Sequence, residues 1–235
     1  MVDRSASGAQ YFGLAITPAG NRLFAANFGV APGIHVFDGG FTDISGSLAA
    51  SALVANPFGA DSFQPFNVQA IGSSLFVAYA QLGTPGEEET GPGLGRLAEF
   101  DLDGNLLAIW DGGAFLDAPW GVALAPASWG ECVGDLLVSN FGDGTIACFD
   151  PLTRTAVDYV RDGSGRPIAI EGIWGITFGN GASLGSADAL YFAAGPRDEE
   201  DGIFGRLTVP GPSGALLVVA GVLGALVRRR RPEAA

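Results

Sequence analysis

His35 is the only histidine in the 235-residue sequence, inside the run GIHVFD. A single imidazole cannot build the His-based ligand set of a catalytic zinc site, and no Ser/His/Asp set assembles around it. Its setting reads as a strand-surface position. Oxygen-only calcium ligation needs just carboxylates and carbonyls. The run RDEEDG supplies Asp198, Glu199, Glu200 and Asp201, and GDGT supplies Asp143, but neither has the D-x-D-x-D-G spacing of an EF-hand loop. Asp198, Glu199 and Asp201 are the calcium candidates, in a run whose ordinary role is a solvated loop. GEEETG, at 86–91, reads as a loop tip. GPGLGR, at 91–96, lacks the strand-to-helix context of a nucleotide fingerprint and reads as a flexible loop. Among Trp110, Trp120, Trp129 and Trp174, Trp129 in ASWGEC is the exposed candidate for stacking on a sugar. No catalytic residue is assigned.

Cys132 and Cys148 are the only cysteines and lack metal-ligand spacing. They form a disulfide in an oxidising compartment, or stay as two buried thiols. The formal charge is −13, from 12 basic and 25 acidic residues. Setting aside four clustered tail arginines and Glu233 leaves eight basic and 24 acidic residues, a balance of −16. Such a body repels phosphate backbones and argues against nucleic acid as a partner.

The elements that position these residues repeat. FGLAITP, FNVQAIG, WGVALAP and WGITFGN place Phe12, Phe66, Trp120 and Trp174 at steps of 54 residues, each followed by a small residue: Gly13, Asn67, Gly121 and Gly175. A second apolar run follows in each copy (RLFAANF, SLFVAYA, DLLVSNF, ALYFAAG). A third ends at Asp38, Asp101 and Asp150, with GRLTV in the fourth copy. LLAIWDG and TAVDYVRDG read as outer strands. Gly/Asp turns such as TPAGN, DLDGN and GDGT separate the runs, because a tight hairpin needs residues that tolerate positive φ. The 37 glycines and low charge fit short strands joined by turns. Four strands per copy predict a β-propeller, all-β, with four recognisable blades over residues 1–208. The innermost strand is crowded, which suits Gly or Asn, and the aromatic before it packs between blades. Four blades seldom close a ring. The expectation is that upstream blades and a signal peptide precede MVDRSASGAQ, which has no apolar core, and that the ring has six blades.

Residues 209–235 differ in kind. From 214 to 227 no residue is charged; this stretch spans ~21 Å as a helix, and extension back to Val209 gives ~28 Å against a hydrocarbon core of ~30 Å. Arg228, Arg229, Arg230 and Arg231 follow as a membrane stop, which places residues 1–208 on the non-cytoplasmic side. A buried core helix would leave those arginines without a helical partner. The order of Val209, Pro210, Gly211, Pro212 and Ser213, an apolar helix and an arginine cluster resembles the PEP-CTERM sorting signal of Gram-negative bacteria, with Gly211 where glutamate is usual. That resemblance covers about 27 residues and implies an exosortase-type protease as partner and delivery to the cell surface. The repeats, GLAITPAGNRLFAANF among them, resemble NHL-like propellers of an uncharacterised secreted bacterial family.

Together these features predict a non-enzymatic propeller at the inner membrane with its body in the periplasm, or at the cell surface. It would serve as a binding or matrix module, with exopolysaccharide or a surface protein as partner and no cofactor beyond calcium. The alternative is a hydrolase or lyase whose active residues lie partly on upstream blades.

Overall fold

The computed structural model describes residues 2–48, 51–84, 86–130 and 132–208. It is all-β: fifteen strands form four antiparallel sheets, and each 54-residue copy makes one propeller blade. The first blade holds β1 (Tyr11–Ile16), β2 (Arg22–Asn27) and β3 (Gly33–Asp38). The second holds β4 (Phe63–Ile71), β5 (Ser74–Leu82), the short β6 (Glu88–Glu89), β7 (Gly95–Asp101) and β8 (Leu106–Trp110). The third holds β9 (Pro119–Leu124), β10 (Leu136–Asn140), β11 (Ile146–Asp150) and β12 (Thr155–Tyr159). The fourth holds β13 (Ile173–Phe178), β14 (Ala189–Ala194) and β15 (Ile203–Thr208).

The turn residues act as their chemistry requires. In DLDGN, Gly104 takes φ +84°, and Asp101 Oδ1 accepts the amides of Asp103 and Asn105 at 2.9 Å. In GDGT, Gly144 takes φ +77° while Asp143 Oδ1 accepts the Thr145 amide. Both outer strands expected from LLAIW and TAVDY form, as β8 and β12. Among the described residues, the first blade has no fourth strand. The chain there forms a short helix, α1 (Ala52–Ala55), whose Leu53 joins the core with Phe58.

Alternation along each strand turns apolar residues to both faces of the blades, and each face between two blades is packed. Phe24, Ile34 and Val36 of the first blade pack on Val68, Val77 and Phe100 of the second. Phe76, Leu97 and Trp110 of the second meet Val122, Val138 and Phe149 of the third. Leu137, Ile146 and Cys148 of the third meet Ile176, Leu190 and Phe192 of the fourth. Among the described residues no face of the first blade packs on a face of the fourth as the neighbouring pairs pack, so the four sheets form an open series rather than a closed ring.

The membrane helix read at 214–227, the motif from Val209 to Ser213 and the stop from Arg228 to Arg231 lie outside the described residues. Among the described residues, no helix is long and apolar enough to cross a membrane.

Candidate functional site

The inner strands approach one another closely. A Cβ on Gly13 would lie 2.7 Å from Asn67 Cα, and one on Gly121 would lie 2.7 Å from the Trp174 carbonyl oxygen. Asn67 Nδ2 donates to the Trp120 carbonyl at 2.7 Å. Ser139 Oγ accepts the Gly121 amide at 2.9 Å and donates to the Trp174 carbonyl at 2.6 Å. The aromatic column fills the space between these strands. Phe66 is the hub, with ring centroids 5.5 Å from Phe12, 5.2 Å from Phe28 and 5.6 Å from Trp174. Phe66 and Trp174 come from non-adjacent blades, so this axis is packed with rings.

Loops at one end of the blades carry the polar groups. Asn27 and Asn140 end the second strands of their blades and tie down the loops around the innermost ones. Asn27 Oδ1 accepts the Gln10 amide at 2.8 Å, while Asn140 Oδ1 accepts the Asp117 amide at 3.1 Å and Asn140 Nδ2 donates to the Phe115 carbonyl at 2.8 Å. Asp117 is buried and accepts the Gly91 amide at 2.7 Å. Burial raises its pKa, the Gly91 bond opposes this, and the Asp143 charge adds to the rise. Glu88 is likewise raised, chiefly by burial, with Glu199 contributing across from the fourth blade.

Beside these loops lies a pocket of about 440 Å³, lined by Phe58, Arg96, Ile109, Trp110, Asp111 and the backbone of glycines 93, 95, 112 and 113. Arg96 enters it from the start of β7, where the next residue, Leu97, pairs with Trp110. Its guanidinium lies 4.0 Å above the Phe63 ring, and Nη1 donates to the carbonyls of Gly93 at 2.9 Å and Gly95 at 2.7 Å. These contacts fix the fork before any ligand arrives. Among the described residues Nε and Nη2 have no protein acceptor, and Arg96 forms no ion pair. A planar guanidinium held this way presents its free N–H groups to a carboxylate.

The residues singled out by sequence are not gathered here. His35 lies on β3, on the face of the first blade turned away from the second, with Nδ1 2.5 Å from the Tyr11 hydroxyl. Trp129 is buried in the core between the third and fourth blades, its ring 5.3 Å edge-on from Phe178, and offers no face to a sugar. The loop of Asp198, Glu199 and Asp201 folds back on itself: Asp201 pairs with Arg197, and the Glu199 amide donates to the Gly195 carbonyl. Among the described residues, the one trio of potential ligands within 4.8 Å is Cys132, Asp135 and Cys148. Its two sulfurs are joined as a disulfide, which removes the thiolates a metal would need. Sequence reading passed over Arg96 because GPGLGR carries no periodic signal, and over Asp117 because one carboxylate in LDAPWG resembles any turn.

The Tyr11–His35 pair makes a pH prediction. Burial, and then the Arg4 charge, lower the His35 pKa from 6.5. The unfolded chain therefore binds the imidazole proton more readily, so stability falls with acidification below about pH 6.5. Asp43 and Asp101, whose pKa values are lowered, lose their contribution only as pH falls below about 4. The raised carboxyls of Glu88 and Asp117 act in the opposite sense, losing stability as pH rises. His35→Gln is expected to flatten urea-unfolding stability between about pH 6.5 and 5 relative to the parent. An unchanged slope would show that His35 is not the group responsible.

No family model matches the chain. It is 32% identical over 197 residues to an uncharacterised protein of Acanthamoeba polyphaga mimivirus, a match covering 83% of this chain and 47% of that protein. A second uncharacterised mimivirus protein is 32% identical over 201 residues, covering 84% of this chain and 51% of its own length. The chain thus spans about half the length of the curated relatives it matches. Among solved structures, it resembles Kuenenia stuttgartiensis hydrazine synthase with TM-score 0.52 at 14% identity, over 84% of this chain and 46% of that one. It also resembles a Bacteroides caccae protein of unknown function with TM-score 0.53 at 12% identity, over 91% of this chain and 61% of that one. At such identities the likeness concerns the fold alone. The mimivirus similarities overturn the reading as a PEP-CTERM-tailed bacterial surface protein of a secreted NHL-like family. They run through the blades over more than four-fifths of the chain, whereas that reading turned on a tail motif of about 27 residues. Exosortase processing at Val209, Pro210, Gly211, Pro212 and Ser213 falls with it.

Proposed function

We propose that the chain is a non-enzymatic binding module of the propeller class, taking the carboxylate of a sugar acid within a sparsely charged matrix polysaccharide. The observation that carries this reading is the Arg96 guanidinium, held by two carbonyls and an aromatic face at the wall of a 440 Å³ pocket. Ile109 and the edges of Phe58 and Trp110 give that pocket an apolar side for a pyranose ring. The acidic body disfavours dense polyanions, so the ligand carries isolated carboxylates. The buried disulfide supports residence in an oxidising compartment. The uncharged run at 214–227 and its four arginines support anchorage at a membrane, with the blades on the non-cytoplasmic side.

Titration calorimetry with uronate-containing oligosaccharides tests the pocket. Arg96→Gln is expected to weaken binding by roughly 10- to 100-fold, the worth of a charge-assisted hydrogen bond. Equal binding by the variant and the parent would reject the site. Recovery of the parent chain in the cytosolic fraction of its cells would reject the location.

A second reading, a hydrolase or lyase completed by blades outside this chain, draws on the raised pKa of buried Asp117, a property that active-site acids share. Release of shortened or unsaturated sugars from the same oligosaccharides would favour it.

A further inference from the structure

The register of the second blade sets two opposite charges side by side. Leu97 pairs with Trp110 and Ala98 with Ile109. One step further along the same register, Arg96 stands opposite Asp111, on the sheet face that carries Ile109. Cross-strand neighbours lie about 4.5–5.5 Å apart at Cβ, and opposite charges so placed ordinarily pair. These two do not. Among the described residues no ion pair joins Arg96 to Asp111, and the Asp111 carboxylate has no hydrogen-bond donor. Both nearby guanidinium groups are held elsewhere. Arg96 is kept over the Phe63 ring by the carbonyls of Gly93 and Gly95. The Arg154 carbonyl accepts the Asp111 amide at 2.8 Å, but its Nε turns to Glu99, 3.9 Å away. The backbone under the free acid is fixed. The Asp111 carbonyl accepts the Ala156 amide at 2.8 Å, and the preceding Trp110 is buried with Nε1 donating to Glu99 at 3.3 Å. A positioned carboxylate without a partner therefore shares the 440 Å³ pocket with the positioned guanidinium.

We infer that the ligand is zwitterionic: a sugar acid bearing a free amine, an aminouronate, whose ammonium group is taken by Asp111. This rests on the reading of Arg96 as the seat of the sugar's carboxylate. An ammonium fits Asp111 better than a hydroxyl for two reasons. A carboxylate with every acceptor position open gains most from a charged donor, because charge-assisted hydrogen bonds are roughly twice as strong as neutral ones. The second reason is the field of the whole chain. Its formal charge of −13 repels a uronate before the pocket is reached, whereas a zwitterion has no net charge to repel. Ile109 and Phe58 then meet the C–H face of the pyranose between the two charged groups. Acetylation of the amine abolishes its charge and leaves Asp111 facing a weak donor. The site thereby distinguishes a free amino sugar acid from its N-acetylated form.

Titration calorimetry on the full chain in mild detergent tests this, at about pH 6, where an amine of this kind is protonated. The probes are the methyl glycosides of glucosaminuronate, N-acetylglucosaminuronate and glucuronate. The parent is expected to bind the first about 10-fold or more tightly than the other two, the worth of one hydrogen bond between charged groups. Asp111→Asn should erase that preference and leave glucuronate binding within about 2-fold of the parent. Asp111 is exposed, so the variant should keep the parent's circular dichroism and unfolding midpoint. Arg96→Gln should weaken all three ligands by a similar factor. Equal binding of glucosaminuronate and glucuronate by the parent overturns the inference, and so does a preference that survives Asp111→Asn. In either case a loss of binding in Arg96→Gln leaves the carboxylate site itself standing. A parent that binds none of the three, or binding indifferent to Arg96→Gln, rejects the carboxylate site and this inference with it.

Discussion

Phe66→Ala lowers the unfolding free energy by about 3–5 kcal/mol, a large share of the ~5–15 kcal/mol that holds a domain together. The ring is fully buried and touches aromatic partners from the first, third and fourth blades. Truncation removes its transfer free energy and leaves a cavity whose walls are other rings fixed by their own strands. Collapse is blocked because Gly13, Asn67 and Gly121 already hold the inner backbones near contact. Urea unfolding by tryptophan fluorescence measures the effect, and Trp174, 5.6 Å from Phe66, reports on the site directly. Phe204→Ala, at an exposed position, is the control and should change stability by less than about 0.5 kcal/mol in the isolated chain. A loss below about 1 kcal/mol at Phe66 would mean that the axis is loosely packed and the blades are held by their seams alone.

The second large effect concerns the disulfide. Cys132, on the loop between β9 and β10, joins Cys148 on β11, closing a loop across a sequence separation of 16. Restricting a loop of that length in the unfolded chain is worth about 3 kcal/mol. Both sulfurs lie within the core shared by the third and fourth blades, so Cys132→Ala with Cys148→Ala also removes two apolar contacts there. The expected result is a midpoint shift in urea equivalent to about 3 kcal/mol between oxidised and reduced protein. The double variant should resemble the reduced form and respond no further to reductant. Indifference to reductant would remove the main structural support for an oxidising compartment.

The two effects differ in how far sequence anticipated them. The aromatic column at 12, 66, 120 and 174 was legible because a propeller places one inner-strand residue per blade at a common radius, and the repeat length carries that radius into the sequence. Turns were legible for a local reason: Gly104 and Gly144 adopt backbone angles that most residues avoid. The disulfide was not decidable, because the distance between Cys132 and Cys148 depends on how the β9–β10 loop folds over the blade. Trp129 went the other way: its loop looked exposed, yet it turns inward and buries the ring against Phe178.

The sequence by itself determined the all-β class, the number of blades in this stretch, the place of the inner strands and the acidity of the body. Each is encoded in spacing or composition, and spacing survives without knowledge of contacts. Only the tertiary structure decided that Arg96 stands fixed over Phe63 at a pocket, that Tyr11 reaches His35, and that Asp111 stands beside Arg96 without pairing to it. Those facts depend on which strands become neighbours across long separations. A residue's type states what it can bind, whereas the fold alone settles what it meets.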